Sequence, residues 1–216
     1  MVKGEDKVEM IKTIIKKYET KTPIFKELVE DVSKIKISSK EMKRYIHEVP
    51  DDFEGNYFRQ KVGTSQVGAL IMTWFKGSDI HIHDDSAIIY VLSGHLINIK
   101  YQIMNKSLLV KDITIAQPGE MIFEEKGLIH QIIPVRKNDD PCLSAHFYFP
   151  PKQSLEGTKI IDPMSGRIIT LSSFAKEACI PSNHEEILSI QENVFFDTNF
   201  SLFNKLFREQ TIASSL

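Results

Sequence analysis

HIHDDSAIIYVLSG, residues 81–94, decides how the rest of the chain is read. Two histidines two apart lead into an apolar run that closes on glycine. Alternate side chains of a strand share a face, so His81 and His83 point the same way. On a face that lines a barrel interior, two imidazoles converge on one point. On an outer face they are two surface histidines. The pair alone fits both readings, and a third histidine in a fitting context decides between them.

Outward from this stretch the texture is that of short strands. From Tyr57 the β-branched and aromatic runs are YFRQKV, VGALIMTWF, AIIYVLSG, LINIKYQI, SLLVKDITI, EMIFEE, IHQIIPV and LSAHFYF. Turn residues separate them, which predicts an all-β sandwich or barrel. GTKIIDPMSGRIITLSSF predicts a further hairpin turning at Ser165-Gly166. Before Tyr57 the period is helical: Val8, Ile11, Ile14 and Ile15, then Ile24, Leu28 and Val32. SSKEMKRYIHEV predicts a third helix with Ser39 as N-cap. PDDFEGN, residues 50–56, is turn-like. From about Asn183 the pattern predicts helix again, through NHEEILSIQENV and NFSLFNKLFREQ. The expected division is a helical segment over 1–50 packing on the barrel, the barrel over 51–180, and a helical extension over 181–216.

Composition narrows the function classes. The 216 residues suit one sizeable domain, and 42% hydrophobic with 26% charged residues is ordinary for a globular protein. A net charge of -2 gives no global field for nucleic acid or an anionic membrane. The lysines of KKYETK read as a solvated helix face. No apolar run reaches membrane-spanning length, and the charged N-terminus lacks a signal-peptide core, so a cytoplasmic protein is expected. Cys142 and Cys179 are too few for a disulfide scaffold and read as ordinary reduced thiols.

Three further signals carry chemistry. PGEMIFEEKGLIHQIIP brings a third histidine, His130, spaced from Gly119, Glu125 and Gly127. In CLSAHFYFPP, Ser144, His146 and Tyr148 share one strand face, and Leu143, Ala145 and Phe147 take the other. Ser144 can fix the His146 tautomer and His146 can orient the Tyr148 hydroxyl. The plainer reading is a polar face that meets water. Arg59 in NYFRQKV can pair bidentately with a substrate carboxylate inside a barrel, or lie on the surface like most single arginines. Asp84 and Asp85 follow His83 in a turn that exposes them; Asp85 is kept as a rival ligand.

The spacing resembles the two motifs of the cupin superfamily. His81, His83 and Gly94 match the first, with Gly77 closer to His81 than the pattern has it. Gly119, Gly127 and His130 match the second, with Glu125 in place of proline. The glutamate slot of the first motif is Ala87, which cannot ligate a metal. The expected site is therefore three neutral imidazoles with open coordination positions, leaving a divalent ion its full charge for an anionic ligand such as a thiolate. Tyr57-x-Arg59, Trp74, the three histidines and the Ser144-x-His146-x-Tyr148-x-Pro150-Pro151 string together resemble the cysteine dioxygenases, over residues 57–173.

That resemblance implies a cupin barrel that binds Fe(II) through His81, His83 and His130 and oxidises a thiol to a sulfinic acid with O2. Cysteine would chelate through thiolate and amine. Arg59 would grip its carboxylate, Tyr57 would line the pocket, and Tyr148 would act with support from His146 and Ser144. Some members carry a cysteine crosslinked to that tyrosine; with Ala87 near that slot, an uncrosslinked Tyr148 is expected. A related branch acts on 3-mercaptopropionate and has glutamine in the arginine position, and here Gln60 follows Arg59. A one-residue register shift would exchange them. The expected partners are a small thiol and O2, with neither nucleic acid nor membrane, in a monomer or homodimer. The remaining alternative is a non-catalytic metal-binding cupin.

Overall fold

The computed structural model describes residues 8–35, 39–135 and 140–194. Three helices come first: α1 (Val8–Lys17), α2 (Phe25–Ser33) and α3 (Ser39–His47). The strands follow as β1 (Tyr57–Thr64), β2 (Gly68–Trp74), β3 (Ile80–Ile82), β4 (Ser86–Ser93), β5 (His95–Met104) and β6 (Ser107–Ala116). After them come β7 (Met121–Glu124), β8 (Ile129–Val135), β9 (Cys142–Phe149), β10 (Lys159–Asp162), β11 (Arg167–Leu171) and β12 (Ile187–Gln191). One sheet has the order β1-β2-β9-β4-β7 and the other β12-β11-β10-β3-β8-β5-β6. Their pairings are antiparallel, and the two sheets make a jelly-roll core.

The opening stretch is two strands, not one. β3 lies in the seven-stranded sheet and β4 in the five-stranded sheet, with Asp84 and Asp85 between them. His81 and His83 therefore sit where the chain passes from one sheet to the other. β3 pairs with β8 so that His81 stands directly opposite His130.

The period-2 pattern of the five-stranded sheet separates two cores. Ile88, Tyr90 and Leu92 of β4, with Leu143, Ala145 and Phe147 of β9, face outward. They pack with Ile11, Ile14, Ile15 and Tyr18 of the first helical segment and Leu28, Val32 and Ile35 of the second. Fully burying one such aliphatic side chain contributes about 1.5–3 kcal/mol, so the helices owe their place to this stripe more than to propensity. Tyr18 Oη donates to Asp31 Oδ2 at 2.9 Å, and Lys17 Nζ lies 2.5 Å from the same oxygen, tying α1 to α2. The alternate residues, Ala87, Ile89 and Val91, face the barrel interior with Leu70, Met72 and Trp74.

The C-terminal part departs from expectation. Where NHEEILSIQENV predicts helix, the structure has a 3-10 turn at His184–Glu186 and then β12, an edge strand on β11. Ile187 and Ile190 fit a helical spacing, whereas Leu188 and Ile190 alternate as in a strand. The open edge of β11 offers backbone partners along the whole segment, and that settles the conformation. The helix predicted through NFSLFNKLFREQ lies outside the described residues. Among the described residues no helix is long and apolar enough to cross a membrane.

Gly94 ends β4 with φ +73°, and a Cβ there would lie 2.3 Å from Cys142 Sγ and 3.2 Å from its Cα. Both the left-handed backbone and the close approach of β9 require glycine. Gly94→Ala is expected to destabilise the fold by roughly 2–4 kcal/mol, combining backbone strain and overpacking, as read from urea denaturation midpoints. An unchanged midpoint would contradict this contact.

Candidate metal centre

His81, His83 and His130 are all buried, and each offers one ring nitrogen such that the three atoms lie within 4.8 Å of one another. Each ring is held from behind. His81 Nδ1 donates to the Asp79 carbonyl at 2.9 Å, and His83 Nδ1 to the Asp85 carbonyl at 2.9 Å. His130 Nδ1 donates to Asn98 Oδ1 at 3.1 Å. An oxygen acceptor at Nδ1 places the proton there and leaves Nε2 as a lone pair. These anchors orient imidazoles in the manner of a metal site's outer partners. His130 Nε2 is buried with no hydrogen-bond partner. Burial, then the neighbouring His130 and His83, hold the His81 pKa well below the ordinary 6.5. The His81 ring is thus suited to a cation and poorly suited to a proton.

Glu124 is the residue that the sequence reading missed. It is buried, with Oε2 3.1 Å from His83 Nε2 and Oε1 2.9 Å from His130 Nδ1. Burial pushes its pKa up, but the His130 and His83 imidazoles outweigh that and hold it well below 4.5. The site is therefore not built of neutral imidazoles alone. A signal was present: Glu124 shares the strand face of Ile122, which lies in the interior core, whereas Phe123 between them is exposed. Asp85, the rival ligand, turns its carboxylate to Lys152 and only its carbonyl to His83. Asp84 is exposed.

Of the other predicted residues, Tyr57, Arg59, His146 and Tyr148 line the same pocket, and Ser144 lies buried behind His146. Ser144, His146 and Tyr148 are buried and face inward, so they do not meet bulk water. Trp74 Nε1 donates to Ser144 Oγ at 2.8 Å, Ser144 Oγ lies 2.9 Å from His146 Nε2, and His146 Nδ1 lies 3.2 Å from Tyr148 Oη. An indole N–H can only donate, which sets the direction of the rest. Ser144 then donates to His146 Nε2, His146 Nδ1 donates to Tyr148 Oη, and the Tyr148 hydrogen is left for the pocket. Burial lowers the His146 pKa to about 3, keeping it neutral, and raises that of Tyr148. The Tyr148 and His83 rings lie 6.1 Å apart edge to face. No crosslink partner is at hand, because Ala87 is the residue opposite Tyr148 on β4.

Arg59 also lines the pocket, and among the described residues no carboxylate pairs with it. Gln60 points the other way, its Nε2 donating to the Tyr45 carbonyl at 3.3 Å. The β1–β2 register puts Arg59 opposite Met72, which itself lines the pocket. Tyr57 is a wall residue: its ring packs 4.6 Å from Trp74, and its hydroxyl accepts from the Ala178 N–H.

No protein-family model matches the chain, and no curated protein matches it. Solved structures similar to it include an RmlC-like cupin from Shewanella frigidimarina, at 16% identity and TM-score 0.38, covering 50% of this chain and 88% of that one. Peruvianin-I, a cysteine peptidase from Thevetia peruviana latex, is 14% identical with TM-score 0.40, covering 54% and 74%. Oxalate decarboxylase from Lactobacillus farciminis is 15% identical with TM-score 0.36, covering 44% and 27%. These are likenesses of fold at low identity.

Two outcomes follow from the centre. His130→Ala removes one of three donors and is expected to abolish retention of a divalent metal through gel filtration, while circular dichroism stays that of the wild type. The pH dependence has a definite sign. With the His146 pKa near 3 when folded and 6.5 as its ordinary value, the unfolded chain takes up a proton that the folded chain refuses. Metal-free stability is therefore full above about pH 6.5 and falls as pH drops toward 3. Urea titrations across this range are expected to show a shallower fall for His146→Gln.

Proposed function

We propose that the chain is an Fe(II)-dependent thiol dioxygenase that converts L-cysteine and O2 to cysteine sulfinic acid. The supporting observation is the Trp74–Ser144–His146–Tyr148 relay, which ends at a donor hydroxyl beside three metal-ready histidines. Simple ligand binding has little use for such a relay. His81, His83 and His130 would hold the iron. Iron(II), when bound, supplies affinity for a thiolate and a path for electrons from sulfur to dioxygen.

The chain's own residues do the rest. Arg59 receives the substrate carboxylate, because an unpaired guanidinium on a pocket wall is a bidentate anion site. That grip fixes which way the sulfur points. Tyr148 presents its hydroxyl hydrogen to charge that develops near sulfur, and neutral His146 keeps it turned that way. The largely apolar wall of Tyr57, Met72 and Trp74 excludes water. The overall change is R–SH + O2 → R–SO2H. Both oxygen atoms end on sulfur, which loses the electrons that O2 gains, so no external reductant enters.

Oxygen consumption by iron-loaded protein, with sulfinate identified by mass spectrometry, tests the reading. Turnover with cysteine is expected. Turnover with 3-mercaptopropionate alone would shift the substrate to the thiol acid, and none with either would leave a non-catalytic metal-binding cupin. Arg59→Ala is expected to raise KM by an amount worth about 2 kcal/mol or more with kcat less affected. Tyr148→Phe is expected to lower kcat chiefly.

A further inference from the structure

The geometry points to Glu124 as a fourth metal ligand, delivered to the three histidines from β7. Its Oε2 lies 3.1 Å from His83 Nε2, the nitrogen left as a lone pair once Nδ1 donates to the Asp85 carbonyl. At that distance the two atoms need either a proton or a metal ion between them, and an ion would serve both. His130 Nε2 is likewise buried without a hydrogen-bond partner, and Glu124 Oε1 lies 2.9 Å from His130 Nδ1, whose hydrogen goes to Asn98. These are the unmet needs of a site built around a positive ion, and Glu124 is the carboxylate that reaches it.

The strand register explains how Glu124 gets there. Glu124 stands directly opposite Ala87 in the β4–β7 pair. Ala87 is buried and brings no side chain beyond Cβ, so the space above it is left for the longer neighbour. Ala87 in turn lies opposite Tyr148 of β9, so the carboxylate is carried on the same sheet as the relay. Of the two acids that follow the histidines, Asp84 is exposed and Asp85 is engaged by Lys152. The consequence is electrostatic. A carboxylate donor cancels one of the two charges of a divalent ion, so attraction for an anionic substrate falls largely to Arg59.

The inference rests on the metal reading of the three histidines but not on the identity of the substrate. The test uses the full chain, stripped of metal by chelator dialysis and titrated with Co(II). Wild type, Glu124→Gln, and the exchange variant Glu124→Ala/Ala87→Glu are compared by visible absorption and by infrared difference spectra of Co(II)-loaded minus metal-free protein. Coordination of Glu124 predicts a shifted carboxylate stretch in the wild type that Glu124→Gln lacks. It also predicts an altered Co(II) band and affinity weakened roughly tenfold or more in Glu124→Gln. Recovery of the carboxylate signal in the exchange variant would add support. If Glu124→Gln binds Co(II) with the wild-type difference spectrum, Glu124 is not a ligand and the proposal is overturned. If the wild type binds no Co(II), the metal reading itself falls, a result distinct from the first.

Discussion

The hydrogen bonds behind the three imidazoles are the constraint on which the site depends. A buried imidazole with an unspecified tautomer can turn either nitrogen to the interior. Here the carbonyls of Asp79 and Asp85 and the amide oxygen of Asn98 each take one Nδ1–H. What remains is three ring nitrogens gathered in a largely enclosed space, that of His83 3.1 Å from Glu124 Oε2 and that of His130 without a hydrogen-bond partner. Leaving such groups unpaired costs free energy that the fold must recover elsewhere. The barrel supplies the rigidity for this: His81 and His130 are cross-strand partners, and Asn98 reaches His130 from the adjoining strand β5. Displacing any one strand would misdirect more than one ring.

The two sheets divide the labour. The seven-stranded sheet brings His81, His130 and Asn98, with His83 just beyond the end of β3. The five-stranded sheet brings Arg59, Trp74, Glu124 and the Ser144–Tyr148 face. The stretch between β3 and β4 joins them, and there Asp85 touches both halves, its carbonyl on His83 and its carboxylate on Lys152. The N-terminal helices pack against the outer face of the five-stranded sheet. They back the strands that carry the relay and Arg59.

Much of this was legible in the residues and some was not. The strand runs stand out because β-branched residues alternate between turn signals. Ser144, His146 and Tyr148 were readable as one face because strand parity is local. His130 was readable because its spacing from Gly127 and Gly119 resembles the second cupin motif. Glu124 escaped because EMIFEE looks like a strand that ends in surface acids, and only the parity with Ile122 separates the buried glutamate from its neighbour Glu125. Trp74 as the head of the relay was not readable, because its neighbour Ser144 belongs to a strand seventy residues on. The C-terminal segment was misread because Ile187 and Ile190 stand about one helical turn apart, while the strand alternation of Leu188 and Ile190 is too short to stand out. An unpaired sheet edge decides between them, and that edge is invisible in a single segment.

Trp74 closes the relay at its inner end. An indole nitrogen has no lone pair to offer, so beyond Ser144 there is nowhere for a proton to go. The line of serine, imidazole and phenol is a cul-de-sac, not a conduit. Any hydrogen that Tyr148 lends must come back through the same door, from whatever molecule stands in front of it. The phenol therefore keeps its heading, undisturbed by solvent from behind.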